Sequence, residues 1–396
     1  MSTVKVVKFK KKSTKQSKPV AKKRPTSKKK VRRVKAVVKK QAVNTKAAVI
    51  TLNRKEVEET LKVSRDFLPK GYVTVPSLAC VHMVARGDKL AIETTDLDKA
   101  YTREIWYKGA EIDTCVNLII LEAEIKALEP DIGEVELHLT KKTISVNGRC
   151  EIPTTSPDEF PKIMKAVKDG TEISIKDLPD KLKRVLKAAA EGELRASDRV
   201  FLDVKKGRMV SNDGRRLHMD DIPTMAYSGQ ILLPVKSAEL IAKHKDVEVI
   251  TIGKNRISLE LAGGTMVSQL VEGEYPAYEA VIPVDLPVKV SFDGVEFLNL
   301  MKGVAPITTQ EYQLVKLTIN GRLDVEMKNP EHGHYKWHMP CESEGKGKGD
   351  FVIGFNARYL IDAVSAYKQP LVTMEMKDKN TACLINSKAV IMPMNV

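Results

Sequence analysis

One pattern of residues, repeated three times, limits what this chain can fold into. The clearest copy spans residues 229–263, GQILLPVKSAELIAKHKDVEVITIGKNRISLELAG. It holds a short apolar run at 231–233, a helix-like segment, and two β-rich runs at 247–252 and 257–261. Pro234 and Ser237 mark the start of the helix segment, and Ala238, Leu240 and Ile241 give its apolar positions. Gly253, Lys254 and Asn255 supply turn chemistry between the last two runs. The same parts recur upstream at 116–147 (LIILEAEIKALEP, VELHL, TISVN) and downstream at 351–386 (FVIGFNARYLIDAVSAYKQP, LVTMEM, ACLIN). Anchored on Ile125, Leu240 and Leu360, the copies stand about 115 and about 120 residues apart. A repeat that long implies three similar domains rather than a short-period solenoid.

The length of 396 residues fits that division, since one core stops growing well below it. The net charge of +15 conceals a sharp asymmetry. Residues 1–47 carry 19 Lys and Arg and no Asp or Glu, which leaves a net charge of −4 on everything after them. Such a segment buries too little apolar surface to fold alone, so 1–47 is expected to be a disordered basic tail that grips phosphates or addresses the protein. Five cysteines (Cys80, Cys115, Cys150, Cys341, Cys383) stand singly with no CxxC pair, the pattern of buried thiols in a reducing compartment. No apolar run approaches the roughly 18 residues of a membrane span. The expectation is a soluble, intracellular protein that makes no use of a membrane.

After the tail, each third of the chain reads as a helix, strands, a second helix and more strands. In 48–167 the first helix has Asn53 at its N-cap and Val57, Leu61 and Ser64 on one face. Strand-like runs follow at 81–85, 90–95 and 102–107, and a loop rich in Pro, Ser and Thr closes the domain at 153–161. In 168–285, Leu182, Val185, Leu186 and Ala189 share one helix face while Lys183, Arg184 and Lys187 gather opposite. A hairpin whose tip reads SNDGRRLHM comes next. In 286–396, Phe297, Leu300, Met301 and Val304 share a face opposite Lys302, and strands follow at 315–319 and 323–327. The fold class is α+β, with two helices against antiparallel sheet in each domain.

The sequence carries no GxxxxGK[ST], no GxSxG, and no GxGxxG opening a helix. His332, His334, His338 and Cys341 lie close together, but they alternate as a strand would and no second cluster completes four zinc ligands. Asp213 and His218 share a hairpin without a nucleophile. The reading is a non-enzyme with no cofactor and no metal.

SNDGRRL, EGEYPAYEAVIP, FVIGFNARYLIDAV and VIMPM, with TTDLDKAYTREI, IPTTSPDEFPKI and KNPE, together resemble the bacterial-type DNA sliding clamp, the β subunit of DNA polymerase III holoenzyme. The resemblance implies three clamp domains per chain and a head-to-tail homodimeric ring, with helices lining a hole for double-stranded DNA and sheet outside. It implies a DNA polymerase processivity factor in the cytoplasm, at the nucleoid. Its partners would be the polymerase, an ATP-dependent clamp loader and other proteins carrying a clamp-binding motif. A partner pocket is expected at Leu202, Asn212, Gly214, Arg215, Leu217, Pro276, Val281, Val390, Met392 and Met394. DNA contacts are expected at Lys70, Lys183, Arg184, Lys187 and Lys302, and a dimer interface at Ile125, Leu128 and Ile307. The chain departs from the family pattern at Asn212 (Thr is usual), Arg215 (His is frequent) and Asn395-Val396 (a basic residue and Leu are common). The alternative reading is a monomeric, non-enzymatic scaffold with a clamp fold that recruits DNA through its tail.

Overall fold

The computed structural model describes residues 48–71, 75–189, 199–345 and 350–396. The first domain comprises β1 (Ala48–Asn53), α1 (Arg54–Ser64), β2 (Cys80–Arg86), β3 (Lys89–Thr95), β4 (Lys99–Gly109) and β5 (Ile112–Asn117), then α2 (Leu118–Lys126), β6 (Glu134–Leu139), β7 (Thr143–Val146) and β8 (Cys150–Thr155). The second repeats the order with β9 (Thr171–Ser174), α3 (Leu178–Leu186), β10 (Arg199–Asp203), β11 (Arg208–Asn212), β12 (Arg216–Asp221) and β13 (Ile231–Pro234), then α4 (Val235–Ala242), β14 (Val249–Ile252), β15 (Arg256–Leu261) and β16 (Gly264–Gln269). The third has β17 (Val288–Asp293), α5 (Gly294–Val304), β18 (Leu314–Ile319), β19 (Leu323–Asn329), β20 (Gly333–Met339), a short extra β21 (Glu342–Glu344) and β22 (Phe351–Asn356). It ends with α6 (Ala357–Tyr367), β23 (Leu371–Met376), β24 (Cys383–Ile385) and β25 (Ala389–Ile391).

Local chemistry fixes where the helices begin. Asn53, Asn117, Asp293 and Asn356 each precede a helix, and each accepts a hydrogen bond from a backbone N–H of the first turn, at 3.1, 3.2, 2.7 and 2.9 Å. The caps Asn117, Pro234 and Asn356 are therefore equivalent, which corrects the repeat register: Leu121, Ala238 and Leu360, not Ile125, Leu240 and Leu360, occupy the same turn. The strand ahead of each domain's first helix was also absent from the sequence reading. β9, with the burial pattern exposed, exposed, buried, exposed, is too short and polar to announce itself.

Each domain pairs its two helices, α1 with α2, α3 with α4 and α5 with α6, over two antiparallel four-stranded sheets. One sheet runs β5-β2-β3-β4, and its equivalents are β13-β10-β11-β12 and β22-β18-β19-β20. The other runs β1-β6-β7-β8, with equivalents β9-β14-β15-β16 and β17-β23-β24-β25. Three cores result. Phe297, Met301, Leu360 and Phe355 centre the third, Leu182, Val185, Ile241 and Ile257 the second, and Val57, Leu61, Leu121 and Ile125 the first.

Neighbouring domains join by strand pairing of one kind. β4 pairs with β16 over Lys99–Thr102, so the first domain's sheet continues into the second's. β12 pairs with β25 over Arg216–His218, and the sheet continues again into the third. Side chains cross both seams. Phe67 and Tyr101 of the first domain stack at 5.1 Å and are fully buried in the second domain's core. Tyr367 of α6 lies against His218, and its hydroxyl donates to the Met219 and Lys388 carbonyls at 2.9 and 3.1 Å. No described helix is long and apolar enough to cross a membrane.

Candidate functional site

The β11–β12 turn is built by its own side chains. Asp213 Oδ1 accepts from the backbone N–H groups of Arg215 and Arg216 at 2.9 and 3.0 Å, and Asp213 Oδ2 accepts from Arg216 Nε at 3.0 Å. Gly214, at φ +82° with open space around its Cα, takes the left-handed position that the turn requires. Beside this turn the β12–β25 seam leaves a cleft of about 110 Å³. It is lined by Asn212, Gly214, Arg215, Arg216 and Leu217 from the hairpin, Pro276, Ala277, Tyr278 and Val281 from the linker after the second domain, and Val390 and Met392 from the chain's end.

Its walls are held from behind by a small apolar cluster containing Phe201, Val210, Leu217, Tyr275, Tyr278 and Val390. The linker is locked by two tyrosines. Tyr275 OH accepts from Asn212 Nδ2 at 2.7 Å, and Tyr278 OH donates to Asp203 Oδ2 at 2.9 Å. Burial pushes both phenols above their ordinary range; at Tyr278 the Asp203 carboxylate adds to the effect. Val281 and Met392 remain about half exposed at the rim, at 52% and 45%. The result is an apolar slot with two cations in its lining, the exposed Arg215 and the half-buried Arg216, suited to a short hydrophobic segment.

Eight of the ten expected pocket residues line this cleft. Leu202 and Met394 do not. Leu202 is 1% exposed and belongs to the second domain's core, because alternation along β10 turns Phe201, not Leu202, toward the cleft. Met394 leaves the cleft after Pro393. Its N–H donates to the Gly354 carbonyl at 2.8 Å, and its side chain lines a separate cavity of about 430 Å³ with Tyr312, Leu314, Lys316, Lys328 and Val396. Gly354 is needed there, since a Cβ would stand 2.8 Å from the Met394 oxygen. Sequence reasoning missed Arg216, Ala277 and Tyr278.

The expected DNA contacts prove to be differently engaged. Lys70 and Lys302 are exposed, the latter bonded to Asn299 at 2.8 Å. Lys183 is exposed on α3 and pairs with Asp180 at 2.8 Å. Arg184 is instead drawn to the buried Asp220 at 2.5 Å, and Lys187 reaches across the seam to Asp362 at 3.2 Å and Ser365 at 3.1 Å. The three do not form one free basic stripe: each already has a carboxylate partner. The basic tail lies outside the described residues.

The dimer residues need a larger correction. Ile125 and Leu128 are 0% and 4% exposed inside the first domain's core, and neither can meet another chain. The apolar surface of α2 is Ile119 and Ile120, at 48% and 44%. Ile307 is partly buried against the third domain's core. Elsewhere, His334 pairs with Glu326 at 3.0 Å. Asp213 and His218 form no acid–base pair: the first builds the turn, and the second is fully buried with Nδ1 3.0 Å from the Arg184 carbonyl.

Comparison with known proteins agrees with this geometry. Residues 279–395 match the family described as DNA polymerase III beta subunit, C-terminal domain. The Beta sliding clamp of Pseudomonas aeruginosa is 26% identical over 350 residues, covering 82% of this chain and 93% of that protein. That of Caulobacter vibrioides is 25% identical over 359 residues, covering 82% and 93%. In fold, the chain superposes on the crystal structure of the DNA polymerase III subunit beta from Pseudomonas aeruginosa with a TM-score of 0.78 at 24% identity, over 88% of this chain and 100% of that one. The DNA polymerase sliding clamp from Bacillus subtilis gives 0.79 at 18% identity, over 88% and 100%. Three repeated domains, two sheet-to-sheet seams, a cleft at the second seam and these matches make the chain a divergent member of the bacterial beta sliding clamp family.

Proposed function

We propose that two copies of this chain close head to tail into a ring around duplex DNA. In this reading the cleft at the β12–β25 seam docks the polymerase, an ATP-dependent clamp loader and other proteins that carry a short apolar motif. The protein acts as a processivity clamp, a scaffold that raises the local concentration of its partners on DNA. Contacts to phosphate carry no sequence information, so a ring that holds DNA by phosphate contacts is free to slide.

The repetition of the seam carries the reading. β4 pairs with β16 and β12 with β25, so each domain offers one strand to the next. Among the described residues, the equivalents left over are β20, whose only strand neighbour is β19, and the Cys150–Pro153 part of β8, whose only neighbour is β7. A third seam of the same kind, β20 of one copy on β8 of another, uses both and closes the ring after two chains. Charge supports it, with Lys336 exposed on β20 and Glu151 exposed on β8.

The middle of β20 supports it too. Tyr101 of β4 and His218 of β12 are fully buried at their seams; their register match on β20 is the partly buried Tyr335, and two residues along the same strand Trp337 is 58% exposed. Burying such a ring contributes roughly 1.5–3 kcal/mol per site. Trp337→Glu is therefore expected to give monomers by sedimentation, with the fold retained because the side chain is mostly in solvent. A variant that still sediments as a dimer would overturn the β20–β8 assignment.

A further inference from the structure

Arg216 lines the cleft, yet its charge is not the cleft's alone. Its Nε donates to Asp213 at 3.0 Å, its Nη1 donates to Asp362 Oδ2 at 2.6 Å, and its guanidinium lies 4.2 Å from the centre of the Tyr359 ring. Asp362 sits on α6, in the third domain. Its other oxygen, Oδ1, accepts from Lys187 Nζ at 3.2 Å, and Lys187 caps α3, one of the helices expected to face DNA. One carboxylate thus serves two cations, one at the docking cleft and one at the nucleic-acid face.

We propose that Asp362 is a positioning residue that couples the two faces, so that DNA and an acidic partner group compete through it. The inference rests on the reading of α3 as DNA-facing and of the cleft as the docking site. A phosphate that draws Lys187 away leaves Asp362 to Arg216 alone. The Arg216 charge is then more fully neutralised, and it attracts a carboxylate in the cleft less. Conversely, a partner carboxylate on Arg216 frees Asp362 to hold Lys187 back from DNA. Linkage requires the two effects to be equal. Both cations are partly exposed, at 10% and 35%, so the coupling is modest: partly exposed pairs contribute up to about 1 kcal/mol, which sets a ceiling of roughly fivefold.

The experiment titrates a labelled peptide with an apolar motif and one flanking carboxylate onto the full chain, alone and loaded on a nicked DNA circle. Wild type is expected to bind the peptide about threefold more weakly on DNA. In Asp362→Asn, which keeps the size but loses the charge and one of the two acceptor oxygens, the ratio falls to one. DNA affinity of this variant rises, and its salt dependence steepens by about one phosphate contact per protomer. Lys187→Met, which leaves Asp362 and Arg216 paired, also brings the ratio to one. A purely structural role for Asp362 would lower peptide affinity equally with and without DNA and leave the ratio at threefold, overturning the proposal. An unchanged ratio in Lys187→Met overturns it independently. Failure of wild type to bind peptide or circle at all would instead sink the underlying functional reading.

Discussion

His218 shows at the scale of one residue how a seam acquires pH dependence. Its ring is fully buried between α3 and α6, and burial lowers its pKa from 6.5 to about 4; the Arg184 carbonyl, which works the other way, does not offset this. The unfolded imidazole takes up a proton near 6.5 while the folded one resists until about 4. Stability from this group is therefore complete above about pH 6.5 and is lost as pH falls toward 4, by up to about 3 kcal/mol. His218→Gln removes the titration. Its urea midpoint is expected to vary less between pH 7 and pH 4 than that of wild type, although its absolute stability at pH 7 is lower. Equal pH slopes in the two proteins would show that His218 titrates normally. Arg216 illustrates the limit of sequence at this scale. In the dipeptide Arg215-Arg216, β12's alternation, the nearby Asp213 and a carboxylate 146 residues away together decide which arginine turns inward.

Among the elements, the helices were legible and the strand faces were not. The stripes at Val57 and Leu61 and at Phe297, Leu300, Met301 and Val304 are buried as periodicity requires, because one helix face must meet the core whatever the tertiary setting. Leu202 went to the other face of its strand because a family position names a strand but not its pleat, and a shift by one residue exchanges the faces. Met394 was misplaced because nothing local reveals that the chain crosses to Gly354 after Pro393. Turns repeat as faithfully as helices. The β3–β4 turn places Leu97 at φ +81°, as the β11–β12 turn places Gly214 at +82°, and Asp96 holds Lys99 as Asp213 holds Arg216. Leu97 is 50% exposed, so it gains little from burial and bears the strain of a left-handed residue. Leu97→Gly should raise the free energy of unfolding by up to about 1 kcal/mol, the relief exceeding glycine's greater freedom in the unfolded chain. A lower urea midpoint in this variant would mean that the Leu97 side chain is held by contacts stronger than its exposure suggests.

For the whole molecule, the decisive contrast is between a basic tail and a body of opposite sign. Residues 1–47 hold 19 of the 66 Lys and Arg and none of the 51 Asp and Glu. On α3 and across the seam, Arg184 and Lys187 are already paired with Asp220 and Asp362, so the helix face offers DNA less free charge than its composition suggests. Two sources of grip follow, and they differ in kind. The tail, if it neutralises phosphates, adds affinity that falls steeply with salt, each phosphate contributing a slope of about −0.9 in log K against log salt. The ring, if it closes through β20 and β8, holds DNA by topology, and no salt concentration that leaves the dimer intact weakens an enclosure. Deleting residues 1–47 separates them. The truncated protein is expected to bind linear duplex more weakly and with a salt slope flatter by several units. On a closed circle it should persist as long as the full chain does, and a single cut in that circle should release it. Equal loss from circular and linear DNA would mean that the tail, and not the ring, keeps this protein on its substrate.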